Sequence, residues 1–163
     1  VTVKMKNGKV SDHFELGEFF IHQEGEFNIP AEVIRPLVQL TDILEDVRAK
    51  LGKGLKVNSG CRSEDYNKKC GGIKLSNHRW EIHDDGSISC DVQIPFVNNA
   101  KAQEWVYFIQ ESANSRKVRA EVGIYDTFVH IGVNPTYTKG NYNWRKKNGV
   151  QTNNFYKNKA VKF

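Results

Sequence analysis

The segment Leu55–Asp91, LKVNSGCRSEDYNKKCGGIKLSNHRWEIHDDGSISCD, decides most of the fold. A short apolar run at its start and the run that ends in Asp91 are both typical of strands. Between them, Ser63 is suited to cap a helix whose first turn is acidic and whose last turn is basic, as the helix dipole favours. The pair Gly71-Gly72 then ends that helix. The segment therefore predicts two strands connected by a short helix and a turn.

Helices are predicted on both sides of this segment. Apolar residues recur every three or four positions from Pro30 to Leu51 and again along Asn99–Ala113, which indicates two amphipathic helices. Because Pro36 would remove a backbone hydrogen bond from a helix interior, we expect the regular part of the first helix to begin near Arg35. Further upstream, residues 11–20 predict a short capped helix, and residues 1–10 predict a hairpin or a frayed end.

Two more strand patterns follow the second helix, AEVGIY at 120–125 and TFVHIGV at 127–133, with a tight turn between them. Helices that precede an antiparallel-looking sheet predict an α+β fold, in which a small antiparallel sheet is flanked by helices. A length of 163 residues suits one domain. We therefore expect residues 1–163 to form a single domain with a basic, aromatic C-terminal extension from about residue 134.

The chain has a formal net charge of +5, which favours an anionic partner such as nucleic acid, a membrane surface or a cell-wall polymer. The C-terminal extension mixes basic with aromatic residues, as do some proteins that bind single-stranded nucleic acid by stacking. We instead expect a solvated extension packed by its aromatic residues, and no nucleic-acid partner. No apolar run approaches the roughly 20 residues that a membrane-spanning helix needs. Three cysteines leave open both one disulfide with a free thiol and three thiols.

Two histidines and one carboxylate are the candidate metal ligands. Strand alternation places Asp91 on the face opposite the apolar residues of its strand, and it places His130 on the face that contains Gly132. If the two strands are neighbours, both side chains face one cleft. A carboxylate in an apolar strand needs a partner, because burying it unpaired is costly. His78, Asp91 and His130 would give a catalytic zinc ion three ligands and an open position, although an Asp–His hydrogen bond would satisfy the same groups.

The order of several short strings resembles that of the LAS-type zinc peptidases, which include D-Ala-D-Ala carboxypeptidases and L-alanyl-D-glutamate endopeptidases. The resemblance extends from about Ser11 to Val133, roughly three quarters of the chain. It implies a hedgehog-like, D-Ala-D-Ala-peptidase-like fold and a Zn²⁺ cofactor. The strings that carry it are SGCRSEDYN at 59–67, GG at 71–72, SNH at 76–78, SCDVQIP at 89–95 and VGIYDTFVHIG at 122–132.

The resemblance implies roles for individual residues. His78, Asp91 and His130 match the zinc ligands, and Arg62 matches the arginine that polarises the scissile carbonyl and stabilises the oxyanion. His78 and Asp91 are thirteen positions apart, farther than is usual in the family, so His83 is an alternative first ligand. We prefer His78 because it keeps the Ser-x-His signature.

The general base departs from the family pattern. Many relatives carry an acid two positions after the last histidine or three before it, and this chain has Gly132 and Thr127 there. Hydrolysis still needs a group that takes a proton from water and returns it to the leaving amine. Asp126 and Glu121 are the available carboxylates, and Asp126 is the base that we expect.

The expected function is zinc-dependent hydrolysis of an amide bond next to a D-amino acid in peptidoglycan stem peptides. The enzyme would be a monomeric carboxypeptidase or endopeptidase of phage or bacterial origin that acts at the bacterial cell wall. The alternative is a catalytically inactive zinc-binding module with a structural or cell-wall-binding role. This alternative follows from Thr127 and Gly132, which replace the usual acids.

Overall fold

The computed structural model describes residues 1–20, 26–82, 85–95, 98–135 and 140–161. Within these ranges the chain forms three α-helices and eight β-strands. The helices are α1 (Ala31–Leu51), α2 (Glu64–Lys69) and α3 (Asn99–Ser115). The strands are β1 (Thr2–Met5), β2 (Phe27–Pro30), β3 (Val57–Ser59), β4 (Ile88–Val92), β5 (Arg119–Ile124), β6 (Val129–Asn134), β7 (Tyr142–Lys147) and β8 (Val150–Asn153).

The main sheet has six strands in the order β3-β4-β6-β5-β7-β8. Neighbouring strands are antiparallel except for β5 and β7, which are parallel. The α+β class is confirmed, but the expected small antiparallel sheet is wrong in part, since the sheet is larger and mixed. The extra strands come from the C-terminal extension, which we expected to be solvated. Strand β5 pairs in antiparallel fashion with β6 on one side and in parallel with β7 on the other.

The hydrophobic core lies between one face of this sheet and the helices α1 and α3, which also contact each other. Leu40 and Leu44 of α1, Ile109 of α3 and Ile131 of β6 are fully buried there. Each such side chain contributes about 1.5–3 kcal/mol relative to an exposed one. Because strand side chains alternate, residues next to the core positions, such as His130 beside Ile131, face the opposite side of the sheet.

Several predicted element boundaries change. Helix α1 starts at Ala31 rather than near Arg35, and it contains Pro36 in its interior. Its end agrees with the prediction, since Gly52 is left-handed with φ of 76° and its N–H donates to the carbonyl of Arg48. In α2 the expected cap is present, because the Ser63 side chain accepts a hydrogen bond from the backbone N–H of Tyr66.

The N-terminal segment is less helical than predicted. The helix expected over residues 11–20 is reduced to a 3-10 helix at Leu16–Phe19. Residues 1–10 do not form a local hairpin, since β1 pairs with β2 in a separate two-stranded sheet. All three cysteines are free thiols. Among the described residues, no helix has the length and apolar character required to cross a bilayer.

Candidate metal centre

Three side chains from distant parts of the chain converge on one point of the sheet. The Oδ1 atom of Asp91 lies 3.2 Å from Nε2 of His78 and 3.1 Å from Nδ1 of His130. The two imidazole nitrogens are themselves 3.2 Å apart. All three residues are buried, with 3 to 7% exposure. The structure therefore brings together the three predicted zinc ligands, each with one donor atom toward the others.

Strand pairing positions two of these ligands. Asp91 in β4 and His130 in β6 are directly opposite each other in the antiparallel ladder. Side chains at opposed positions of neighbouring strands point to the same face, at a Cβ separation of about 4.5–5.5 Å. The two strands are neighbours, so the condition under which we expected both side chains to face one cleft is met, and both line the cleft.

His78 comes from the loop before β4, and hydrogen bonds fix its ring. Its carbonyl accepts a hydrogen bond of 2.6 Å from the backbone N–H of Arg62. Its Nδ1 atom lies 2.8 Å from the carbonyl oxygen of Gly60. Because a carbonyl only accepts, Nδ1 carries the proton and donates it. The lone pair of Nε2 is therefore left for the cluster with Asp91 and His130.

His130 has a carboxylate on each side of its ring. Its Nδ1 atom contacts Asp91, and its Nε2 atom lies 2.9 Å from Oε1 of Glu121 in β5. The same oxygen of Glu121 accepts a hydrogen bond of 3.0 Å from the side-chain amide of Asn77. Sequence reasoning treated Glu121 only as a candidate base, whereas the structure places it against the imidazole of a candidate ligand.

The electrostatics of the cluster favour charged carboxylates. Burial opposes ionisation of Asp91, but the hydrogen bond that His130 donates and the nearby imidazole of His78 outweigh it and lower the pKa of Asp91. Burial also favours a neutral His130, yet the hydrogen bonds with Asp91 and Glu121 together raise the pKa of His130 to about 9. For His78, burial dominates and lowers the pKa. In the metal-free protein the imidazole of His130 is thus protonated near neutral pH, and its positive charge lies between the carboxylates of Asp91 and Glu121.

Arg62 lies on the other side of Asp91. Its Nη2 atom donates a hydrogen bond of 3.0 Å to Oδ2 of Asp91, and its Nε atom donates one of 2.9 Å to the hydroxyl of Ser59. The second carboxylate oxygen of Asp91 is therefore neutralised, while Oδ1 faces the two histidines. Arg62 also lines the cleft in front of the cluster, where sequence reasoning expected it.

The acid expected as general base lies outside the cluster. Asp126 and Thr127 are exposed in the turn between β5 and β6, and Asp126 is not among the residues that line the cleft. Gly132 lies opposite Glu121 in the sheet. His83, the alternative first ligand, lies outside the described residues, as do Lys139 and Lys162 of the C-terminal extension.

The donor set fits a zinc ion. Two imidazole nitrogens and one carboxylate oxygen are ligands that zinc prefers, and catalytic zinc sites combine three protein ligands with one open position. The cluster opens on a cleft of about 450 Å³. The family model for peptidase M15 matches residues 12–132 of this chain. The chain belongs to the peptidase M15 family.

M15 peptidases are zinc-dependent, so family membership and the buried His-Asp-His cluster together support a zinc metallopeptidase that acts on a peptide. The resemblance to LAS-type zinc peptidases is confirmed. Searches of curated proteins and of solved structures gave no significant match.

The M15 match ends at residue 132, yet the chain beyond it helps to build the site. Trp144 of β7 is 8% exposed, and its ring centroid lies 4.9 Å from that of His130. Its indole Nε1 donates a hydrogen bond of 3.2 Å to the hydroxyl of Tyr125. The cleft wall also includes Tyr142, Lys146 and Gln151. Sequence reasoning missed this contribution to the site.

A local signal for these strands is present in the sequence. Asn148 and Gly149 have φ of 51° and 77° and connect β7 to β8 as a two-residue turn. An Asn-Gly pair between two strand patterns is a strong hairpin signal, because both residues tolerate positive φ. In addition, Tyr142, Trp144 and Lys146 stand at alternate positions, which places them on one face of β7.

Proposed function

We propose that the protein hydrolyses an amide bond next to a D-amino acid in peptidoglycan stem peptides, with zinc as cofactor. The observation that carries this proposal is the convergence of His78, Asp91 and His130 at the inner end of an open cleft. Membership of the M15 family supports the peptidase chemistry. The identity of the peptide is the part of the proposal that goes beyond the family.

The three candidate ligands would hold the ion through Nε2 of His78, Oδ1 of Asp91 and Nδ1 of His130. When bound, zinc would act as a Lewis acid that polarises a peptide carbonyl and lowers the pKa of water, so that a hydroxide nucleophile is present near neutral pH. Arg62 is the proposed oxyanion donor. Its Nη2–Asp91 and Nε–Ser59 hydrogen bonds hold the guanidinium rigidly at the cleft, so its remaining N–H groups need no reorganisation to meet developing charge.

Asp126 remains the proposed general base. The residues around it, Tyr125 and Phe128, line the cleft and stack on each other with centroids 4.2 Å apart, so the β5–β6 turn forms part of the cleft rim. Glu121 is the rival carboxylate. It is already engaged by His130 and Asn77, which leaves it less free to exchange protons with a substrate. Replacing each acid separately by its amide and measuring kcat at saturating zinc tests the choice.

Charge supports an anionic peptide as substrate. Lys146 and Gln151 face each other across β7 and β8, and both line the cleft. Lys146 is exposed and has no ion-pair partner among the described residues. Stem peptides carry free carboxylates, and the chain has a net charge of +5. A carboxylate of the substrate would therefore be favoured on the β7–β8 side of the cleft.

A second candidate function is a zinc-binding module without catalysis. It is favoured by the absence of an acid at positions 127 and 132 and by the exposed position of Asp126. The two functions require the same metal site, and they differ only in turnover.

The deciding experiment combines metal content with digestion. Purified protein is loaded with zinc, its metal is quantified by mass spectrometry, and it is incubated with purified peptidoglycan while released amines and products are measured. We expect one zinc per chain, lost in His78→Ala and His130→Ala and kept in His83→Ala, together with new termini at a D-amino acid. Stoichiometric zinc with intact peptidoglycan would instead support the inactive module. Absence of zinc from the wild type would contradict both.

A further inference from the structure

The side chain of Glu121 occupies the space above Gly132. The two residues are directly opposed in the β5–β6 ladder. A Cβ atom at position 132 would lie 2.5 Å from Cγ and 2.6 Å from Oε1 of Glu121. Real Cβ atoms do not approach other atoms so closely, since contacts between carbon atoms are optimal near 3.5–4.0 Å. Glu121 therefore keeps this conformation only because position 132 is glycine.

This conformation brings the carboxylate to the candidate metal ligand. Oε1 of Glu121 lies 2.9 Å from Nε2 of His130, the nitrogen that faces away from Asp91 and His78. The amide of Asn77 donates to the same oxygen at 3.0 Å and fixes it there. The Glu121 side chain is 21% exposed, so water competes only weakly for the contact.

A second glycine makes room for a side chain that packs against the same imidazole from another direction. Gly123 is directly opposite His130, and a Cβ atom there would lie within 2.6 Å of the Trp144 ring. Trp144 therefore lies across Gly123 and against His130. The two glycines make room for two side chains, from β5 and β7, that hold one ring from two directions.

We propose that Glu121 is the positioning residue of the metal centre. By accepting a hydrogen bond from the N–H group at Nε2, it selects the tautomer of His130 in which Nδ1 is free to bind a metal, and it fixes the orientation of the ring. The carboxylate reaches the histidine from the neighbouring strand, across a glycine at position 132. This inference rests on the proposed zinc site, and it assigns to Glu121 a role separate from that of the base.

The test measures zinc affinity rather than activity. Zinc dissociation constants are determined by competition with a chromophoric chelator for the wild type, Glu121→Gln and the control Glu104→Gln, which changes an exposed acid on α3. Loss of an outer hydrogen-bond partner of a metal-bound histidine weakens metal binding by roughly 10–100-fold. We expect such a loss in Glu121→Gln and none in Glu104→Gln, with a changed visible spectrum of the Co²⁺-loaded Glu121 variant.

A double-mutant cycle separates positioning from general damage. Gly132→Ala adds one methyl group at the place that Glu121 occupies, so it should displace the carboxylate and weaken zinc binding about as much as Glu121→Gln. In a Glu121→Ala background the space is vacant, and Gly132→Ala should have almost no further effect. Circular dichroism of each metal-free variant checks the fold.

The outcomes are distinct. A wild type that binds zinc while Glu121→Gln binds it equally well would overturn this inference and leave the proposed function intact. Additive losses in the cycle would also overturn it, because the two residues would then act separately. A wild type without zinc would overturn both proposals.

Discussion

The indole ring of Trp144 lies against the imidazole of His130, with centroids 4.9 Å apart and planes inclined at 46°. The two residues belong to strands that do not pair with each other, since β5 lies between β6 and β7. Trp144 comes from the part of the chain beyond the M15 match, and His130 is a candidate zinc ligand inside it. The C-terminal strands are therefore part of the site.

Trp144→Ala should destabilise the protein and weaken its metal site. Removing a buried aromatic side chain typically costs about 3–5 kcal/mol, and Trp144 also supports His130 and Tyr125. Thermal denaturation and zinc content measure the two effects. The matched control is Phe155→Ala, in which an exposed ring loses a cation–π contact with Arg145, worth about 0.5–1 kcal/mol, and an edge-to-face contact with Tyr156, worth about 0.5–1.5 kcal/mol. Equal effects in the two variants would contradict a specific role for Trp144.

Arg62→Lys should separate catalysis from metal binding. The lysine ammonium keeps the charge beside Asp91 but cannot donate at once to Asp91, Ser59 and a substrate in the geometry of a guanidinium. We expect kcat on a stem peptide to fall by about 100–1,000-fold, as on loss of an oxyanion donor, with zinc content unchanged. A loss of zinc in parallel with kcat would show that Arg62 acts mainly through Asp91.

Stability of the metal-free protein should depend on pH in two opposite ways. The pKa of His130 is raised to about 9, so its contribution to the free energy of unfolding is complete below its unfolded pKa, near 6.5, and is lost as pH rises through 9. The pKa values of Asp91 and Glu121 are lowered, so their contribution is present above about pH 4 and is lost as pH falls. Burial lowers the pKa of His78, so its contribution is also lost as pH falls below about 6.5. Denaturant unfolding in chelator should therefore show maximal stability at about pH 6.5, with losses on both sides.

A control variant identifies the alkaline part of this profile. His13→Gln changes a histidine whose side chain is 47% exposed and should leave the loss of stability between pH 7 and 9 in place. In His130→Gln that loss should disappear. If it persisted, a group other than His130 would be responsible.

Zinc affinity should increase with pH over the range in which metal-free stability decreases. Zinc can bind Nδ1 of His130 only after the proton has left, and the pKa of His130 is about 9 in the metal-free protein. One displaced proton makes the apparent affinity rise by about tenfold per pH unit up to that pKa. Competition titrations at about pH 6, 7 and 8 measure this slope. A flat profile would mean that zinc does not displace the His130 proton.

Local patterns in the sequence, together with the family resemblance, were sufficient to find the candidate ligands. Strand alternation placed Asp91 opposite the apolar residues of its strand and His130 on the face that contains Gly132, and the Ser-x-His signature of the resemblance indicated His78. The cap at Ser63 and the left-handed Gly52 are equally local, and the structure has both. Side chains in a strand alternate with a period of two residues, and a helix cap is formed within one turn of the helix. Residues that are close in sequence therefore determine both kinds of feature. That His78, Asp91 and His130 bind zinc stays a prediction.

Tertiary structure alone decided which residues surround those ligands. Glu121 reaches His130 because β5 and β6 pair in the register that opposes Glu121 to Gly132, and a shift of one residue would send it to the other face. Trp144 reaches His130 because β7 pairs in parallel with β5. Register and choice of neighbour depend on contacts between residues far apart in sequence, and short-range periodicity contains no information about them. The sequence by itself indicated the candidate ligands, and the long-range packing of the sheet determined which side chains surround them.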